Sequence, residues 1–183
     1  MNNYDFSTLN DKEFEEISKD LLNSKFNFGL QSFRSGRDKG IDLRFSTLKN
    51  DNSIVVQVKH YLKSGYSKLK SKIENDELTK IPKLNCDRYI LVTSLDLSVG
   101  QKDNLKSILA PFVKSTNDII GQNELNDYLS EFKEIEKKYY KLWLSSTTVL
   151  ETILNNAVES RTRYFLNQLE QKMRYYVITN KID

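Results

Sequence analysis

Cysteine, histidine and proline are almost missing from this chain of 183 residues, and each scarcity argues against a class of protein. Because Cys86 is the one cysteine, no disulfide forms within the chain, and we expect a reducing, cytoplasmic location. The single histidine, His60, argues against a multi-histidine metal centre and a Ser-His-Asp hydrolase. With two prolines and six glycines the chain contains no evident flexible linker. Neither a signal peptide nor a membrane-spanning apolar run is present, so no membrane partner is expected.

Positive charge is concentrated in one stretch, although the whole chain carries a formal net charge of only +3. Residues 34–72 hold ten lysines and arginines against three aspartates, and the rest of the chain is net acidic. Such a region attracts polyanions in a salt-dependent way, so we expect a nucleic-acid substrate, with an ordinary solvated lysine face as the alternative. The candidate phosphate contacts are Arg34, Arg37, Lys39 and Lys63.

Two short segments with alternating apolar residues, 41–45 and 54–59, indicate an antiparallel β-hairpin. The residues between them, 47–53, are rich in turn formers. One register places the apolar side chains of both segments on a single face, and a slip by one residue would separate them. The predicted pairs are Ile41 with Val58, Leu43 with Val56 and Phe45 with Ile54.

The same register brings three polar side chains together on the opposite face. Asp42 lies directly across from Gln57 and diagonal to Lys59, with opposed β-carbons about 5 Å apart. A carboxylate, an amide oxygen and the Val58 backbone carbonyl are oxygen ligands of the kind that Mg²⁺ prefers. We therefore predict a metal site for phosphodiester cleavage in which Lys59 stabilises developing charge or orients the attacking water. The alternative is a turn aspartate beside a solvated strand lysine.

A further acid would complete the ligand set, and the predicted first helix supplies three candidates. This helix is expected to begin after Thr8 or Asn10 as the N-cap and to continue to Asn23. The helical pattern alone leaves the choice open among Glu13, Glu15 and Glu16.

Three motifs occur along the chain in a fixed order: Phe14-Glu15, then Arg37-Asp38-Lys39-Gly40-Ile41-Asp42, then Gln57-Val58-Lys59-His60-Tyr61. This order resembles the Mrr-like branch of the restriction-endonuclease-like, or PD-(D/E)XK, nucleases, over about residues 4–130. The resemblance implies that Asp42 and Gln57 bind the metal, that Lys59 is catalytic and that Glu15 is the helix-borne acid. It further implies Mg²⁺ as the cofactor, with Mn²⁺ able to substitute, and double-stranded DNA as the substrate of an endonuclease.

A second resemblance depends on later positions, namely Asp118-Ile119-Ile120-Gly121, Leu125-Asn126 and Lys141-Leu142-Trp143-Leu144-Ser145-Ser146. These are similar to the amino-terminal nuclease modules of STAND-type NTPases in bacterial antiphage defence. The resemblance implies an effector domain, a downstream NTPase as partner and a homo-oligomer in the activated state. The chain itself contains no P-loop motif.

The remaining patterns predict an α/β domain with helices on a mixed central sheet, followed by helical sequence. A strand is expected within residues 26–33, an interior strand at 88–93 and a short edge strand at 116–120, with helices near 65–78 and 102–109. The predicted domains are a nuclease domain at residues 1–130 and a helical connector or extension at 131–183. A stripe in the extension contains Leu142, Val149, Ile153, Leu154, Phe165, Leu169 and Met173.

Two further residues have a structural and a functional interpretation. His60 is expected to be a structural residue, with contact to a substrate backbone as the alternative. Ser94 follows the interior strand, where its hydroxyl either contacts DNA or makes a hydrogen bond at the strand end. For the whole domain, two other functions compete with the nuclease: a non-cleaving nucleic-acid-binding or sensing module, and an oligomerisation module that uses residues 123–183.

Overall fold

A mixed five-stranded sheet forms the centre of the structure, a computed structural model that describes residues 4–33, 41–61, 65–144 and 147–179. The strands lie in the order β1-β2-β3-β4-β5. β1 to β3 are antiparallel neighbours, whereas β3, β4 and β5 are parallel. The strand bounds are β1 Gln31–Ser32, β2 Leu43–Phe45, β3 Ile54–Lys59, β4 Arg88–Thr93 and β5 Ile119–Ile120. The predicted α/β class, the interior position of β4 and the edge position of β5 are confirmed.

The predicted hairpin register is confirmed where the two strands pair, since Leu43 lies opposite Val56 and Phe45 lies opposite Ile54. The predicted pair of Ile41 with Val58 is wrong, because the ladder ends at Leu43. The expectation of a single apolar face also needs correction. Val55 points away from Val56 and is equally buried, because helices cover both faces of β3.

Helix α1, Asp11–Phe26, covers one face of the sheet. Asn10, one of the two predicted N-caps, accepts from Glu13 N while the Glu13 carboxylate accepts from Asn10 N, a complete capping box. The helix continues three residues beyond the predicted end and stops at Asn27, which adopts a left-handed φ of 54°. Its buried stripe consists of Phe14, Ile17, Ser18, Leu21 and Leu22.

The opposite face is covered by a helical segment that changes its winding. α2, Gly65–Lys72, runs into a π-helical turn at Ile73–Glu77, then into α3 at Leu78–Lys80 and a 3₁₀ turn at Ile81–Leu84. Together with α4, Val99–Ile108, it buries apolar residues against the sheet. This core contains Val55, Leu69, Ile73, Ile81, Leu84, Tyr89, Leu91, Leu97, Leu105, Leu109, Val113 and Ile119.

The chain divides into two compact units, Met1–Leu142 and Trp143–Asp183. In the first unit, α5 (Gln122–Glu131) and α6 (Lys133–Lys138) follow the sheet, and α7 (Tyr140–Leu144) begins there and ends two residues past its boundary. Asp20 on α1 accepts hydrogen bonds from Lys138 Nζ at 2.6 Å and Tyr139 OH at 2.7 Å, so α1 and the end of α6 are tied together. Leu142 is fully buried, so it belongs to this core rather than to an exposed stripe.

The second unit contains one uninterrupted helix, α8, at Thr147–Thr179. Four described side chains of the predicted stripe are exposed on α8: Leu154, Phe165, Leu169 and Met173. Val158, which was not part of the predicted stripe, is exposed as well. Val149 and Ile153 lie outside the described side chains. Among the described residues, no helix has the length and apolar character needed to cross a bilayer.

Candidate active site

Asp42 lies directly before β2 and uses its side chain to continue the hydrogen bonding of the sheet. The Val58 backbone N–H faces β2, but the β2 ladder has ended at Leu43. Asp42 Oδ2 therefore accepts this N–H at 2.7 Å, and it also accepts from Gln57 Nε2. The two hydrogen bonds hold the carboxylate against β3 and leave Asp42 Oδ1 without a hydrogen bond to either group.

The amide of Gln57 is only half satisfied. Its nitrogen donates to Asp42, whereas its oxygen Oε1 is buried and has no hydrogen-bond partner. The side chain is 2% exposed, and a buried carbonyl oxygen without a partner is costly enough to need an explanation. In a site that contains a carboxylate, a bound cation is such an explanation.

The Val58 carbonyl oxygen provides a third oxygen at the same edge. In a β-strand the N–H and C=O of one residue point to the same side. Since Val58 N donates to Asp42, its carbonyl also faces this edge, where the β2 ladder is absent. The backbone of β3 thus presents a carbonyl oxygen at this edge, and its role as a metal ligand stays a prediction.

Glu15 reaches the site from helix α1. It lines a cavity of about 330 Å³ together with Asp42, Val58 and Lys59. Burial raises the pKa of Glu15, and the nearby negative charge of Asp42 raises it further. Glu16, by contrast, is exposed and lines a different cavity beside α6 and α7, so rotation of the helix brings Glu15 and not Glu16 to Asp42.

Burial is also the largest influence on Asp42 and raises the pKa of its carboxyl group. The Val58 N–H and the Lys59 ammonium act in the opposite direction, and they do not outweigh it. A carboxylate that is poorly solvated and shares its surroundings with a second acid is a favourable position for a cation.

Lys59 follows Gln57 on the same face of β3, but its main partner was not predicted. Its Nζ lies 3.2 Å from Glu77 Oε1, and the side chains of Lys59 and Glu77 are 16% and 3% exposed. A signal for Glu77 was present in the sequence. Leu69, Ile73 and Glu77 follow at intervals of four residues, so an acid lies on the buried stripe of a helical segment.

His60 and Ser94 both make structural contacts. His60 Nε2 lies 3.0 Å from Leu9 O, and the ring stacks on Phe14 with centroids 4.6 Å apart. Ser94 is 3% exposed, and its hydroxyl accepts from Tyr61 N at 3.0 Å. The hydrogen bond at the strand end, one of the two interpretations of Ser94, is therefore present, and the geometry lends no support to a DNA contact. The cavity is also lined by His60 and Tyr61, which belong to the third motif, and by Asp11, which the sequence analysis did not single out.

The four predicted phosphate contacts, Arg34, Arg37, Lys39 and Lys63, lie outside the described residues. Their roles stay predictions.

Comparison with known proteins identifies the family of this chain. The model of a restriction endonuclease family, Mrr_cat, matches residues 6–102, which is more than half of the chain. The chain therefore belongs to the Mrr_cat restriction endonuclease family, which indicates a nuclease. An uncharacterized protein of Sinorhizobium fredii (strain NBRC 101917 / NGR234), y4cD, is 43% identical over 155 residues, or 85% of this chain. The chain spans only 24% of that protein's length. No solved structure gives a significant match.

The donor set fits a divalent cation, which nucleases of this fold generally use. Within the described ranges no three Asp, Glu, His or Cys side chains are grouped to hold a metal ion. A cation here would therefore rely on Gln57 Oε1 and the Val58 carbonyl in addition to the carboxylates of Asp42 and Glu15. All four groups offer oxygen, which is the donor that Mg²⁺ and Mn²⁺ accept and that suits a partly hydrated ion.

Replacing Gln57 by glutamate tests whether this position faces a cation. Without metal, Gln57→Glu loses the hydrogen bond to Asp42 and places two carboxylates in contact, so we expect unfolding free energy to fall by about 1–3 kcal/mol. With Mn²⁺ the added charge is neutralised, so the metal-induced rise in Tm is expected to exceed that of the wild type. Both effects are measured by thermal unfolding with and without Mn²⁺.

The matched control for that experiment is Gln101→Glu. Gln101 fills the capping box of α4, where glutamate is equally suitable, and we expect neither a stability loss nor a metal response. An identical metal-induced rise in Tm for the wild type and Gln57→Glu would contradict a ligand role for residue 57.

Proposed function

We propose that this domain is a Mg²⁺-dependent endonuclease that hydrolyses phosphodiester bonds of double-stranded DNA. The observation that carries the proposal is the buried, unpartnered Gln57 Oε1 beside the Asp42 carboxylate, which lines a cavity together with Lys59. A sensing module without catalysis would have no use for a buried amide oxygen left without a hydrogen bond next to a carboxylate site. Membership of the nuclease family supports the same conclusion.

The proposed site residues have two separate roles, cation binding and stabilisation of charge on the phosphate. Asp42, Gln57, Glu15 and the Val58 carbonyl would hold the cation. When bound, Mg²⁺ polarises a phosphoryl oxygen and lowers the pKa of a bound water. Lys59 supplies a positive charge that stabilises the negative charge developing on the phosphate. Because Glu77 already holds the Lys59 ammonium, the lysine side chain does not have to be ordered during the reaction.

Binding of DNA depends on the positive stretch that surrounds the site in the sequence. Ten basic residues within 34–72 favour contacts with the phosphate backbone, which position a duplex without reading its bases. Arg34, Arg37, Lys39 and Lys63 are the proposed phosphate contacts. Little sequence selectivity is therefore expected from this domain alone.

The role in the cell that fits these properties is that of an antiphage effector attached to a STAND-type NTPase. The chain resembles such modules at its later motifs, and the relative from Sinorhizobium fredii extends far beyond the matched part. In this scheme the NTPase assembles several copies, and clustering through α8 brings nuclease domains together. The exposed apolar side chains of α8 are the feature that supports self-association.

A plasmid-nicking assay on this chain tests the central proposal. Supercoiled plasmid is incubated with the protein in Mg²⁺ or in EDTA, and matched double-stranded RNA is run beside it. We expect relaxed and linear DNA only in Mg²⁺, and no cleavage of the RNA. Salt-sensitive DNA binding without any product would identify a binding module instead. Self-association with neither binding nor cleavage would identify an oligomerisation module.

A further inference from the structure

Glu77 is a buried carboxylate whose partners are two lysines. Its Oε1 lies 3.2 Å from Lys59 Nζ and 3.5 Å from Lys80 Nζ. Lys80 is 41% exposed, whereas Lys59 is mostly buried, so Lys59 is the partner that Glu77 meets away from water. The pair lies on the face of the sheet that α2, the π-helical turn and α3 cover.

Stability alone gives little reason for an acid at this position. Its neighbours on the helical stripe, Leu69, Ile73 and Ile81, are apolar and fully buried, and a leucine would pack among them. A buried ion pair is often no more stabilising than apolar residues of the same volume. Glu77 also ends a π-helical turn, a distortion that is frequent at functional sites.

Lys59 has a second carboxylate in its surroundings, namely Asp42, because both side chains line the same cavity of about 330 Å³. A lysine ammonium that pairs with Asp42 would occupy the same carboxylate that a divalent cation needs. Lys59 must therefore remain near the site and yet be kept off Asp42.

We propose that Glu77 is a positioning residue that holds the Lys59 ammonium away from Asp42, so that Asp42 stays open to a divalent cation. This inference rests on the proposed metal-dependent function. It assigns Glu77 no contact with substrate or metal. Glu77 acts only through Lys59, by giving its ammonium a competing carboxylate on the helix side of the sheet.

Calorimetric titration with Mn²⁺, without DNA, tests the inference independently of cleavage. Glu77→Gln keeps the volume of the side chain and removes its charge, so Lys59 is expected to turn to Asp42 and weaken Mn²⁺ binding by about tenfold, the effect of 1.4 kcal/mol. Lys59→Met/Glu77→Gln removes the competing ammonium as well, and its Mn²⁺ affinity is expected to return to the wild-type value. A merely structural role of Glu77 would not produce this recovery.

The control is Glu124→Gln, which breaks a pair with Lys102 at 2.5 Å outside the lining of the site cavity and should leave Mn²⁺ affinity unchanged. Wild-type affinity in Glu77→Gln would overturn the inference, and so would a loss that the double variant does not restore. A Glu77→Gln variant that fails to fold while the double variant folds would also overturn the inference. That result would mean that the released Lys59 ammonium stays buried without a partner and does not pair with Asp42. A wild-type protein that binds no Mn²⁺ would instead contradict the proposed function itself.

Discussion

Lys59→Met is expected to reduce Mg²⁺-dependent plasmid cleavage by at least about 10²-fold, the usual effect of removing one group that stabilises the transition state. Methionine keeps most of the length and apolar surface of the lysine stem and removes only the charge. The rate is measured from the loss of supercoiled plasmid under conditions in which the wild type cleaves completely. Wild-type cleavage by this variant would rule out the proposed role of Lys59.

This substitution is also expected to affect stability, because Lys59 pairs with the buried Glu77. Removing Lys59 leaves Glu77 buried with only the more exposed Lys80 beside it. Removal of one partner of a buried ion pair lowers the free energy of unfolding by about 3–5 kcal/mol. We therefore expect Lys59→Met to unfold at a lower temperature than the wild type. Lys59→Met/Glu77→Gln should regain much of that stability and remain inactive, which separates loss of catalysis from loss of fold.

Lys102→Met is the matched control for Lys59→Met. Lys102 is also 16% exposed and pairs with a carboxylate, Glu124, at 2.5 Å. It lies on α4, outside the lining of the site cavity. We expect Lys102→Met to lose some stability and to cleave plasmid at the wild-type rate, as measured in the same assay.

Asp42→Asn is expected to abolish cleavage while leaving the unbound protein as stable as the wild type or more stable. Burial raises the pKa of the Asp42 carboxyl group, which means that its ionised form is disfavoured in the folded state. Asparagine removes this charge, and its oxygen can still accept the hydrogen bond from Val58 N. Tm at neutral pH without metal, together with plasmid cleavage in Mg²⁺, measures the two effects.

The pH dependence of this stability difference has a definite sign. A carboxyl group whose pKa is raised on folding contributes stability when it is protonated, and this contribution is lost as pH rises through the raised pKa. The advantage of Asp42→Asn over the wild type should therefore be largest near neutral pH. It should shrink as pH falls toward the ordinary range of aspartate, where Asp42 is protonated in the wild type too. A stability difference that grows on acidification would contradict this account.

Asp118→Asn is the matched control for Asp42→Asn. Asp118 is equally an aspartate at the start of a strand, but it accepts hydrogen bonds from Arg88 Nε at 2.9 Å and Nη2 at 2.6 Å. Losing its charge should lower unfolding free energy by about 1–3 kcal/mol and leave cleavage unchanged. The two substitutions are therefore expected to have opposite consequences for stability and activity.

Part of the site followed from the sequence because β-strand geometry is strictly periodic. Side chains alternate with a period of two, so the register that paired Leu43 with Val56 also placed Asp42 beside Gln57. Glu77 did not follow from the same reasoning. Glu77 meets Lys59 only when a helical segment folds back across the sheet. In addition, the π-helical turn alters the residue spacing on which a helical pattern depends.

The choice between Glu15 and Glu16 was likewise decided by tertiary packing and not by a sequence pattern. Both acids lie in the first helix, and adjacent helical residues differ by about 100° in direction, so a sequence pattern cannot say which one meets a strand edge. The packing of Phe14 and Ile17 into the core sets the rotation of α1. That rotation directs Glu15 toward Asp42 and leaves Glu16 exposed.

The sequence by itself determined the α/β class, the central hairpin and the identity of its three polar residues, because these depend on local periodicity and on short-range pairing. Only the tertiary structure decided which helix acid joins them, that Gln57 Oε1 lacks a partner and that Glu77 holds Lys59. Those features depend on burial and on contacts between distant segments. Both arise only when helices from separate parts of the chain cover the two faces of one sheet.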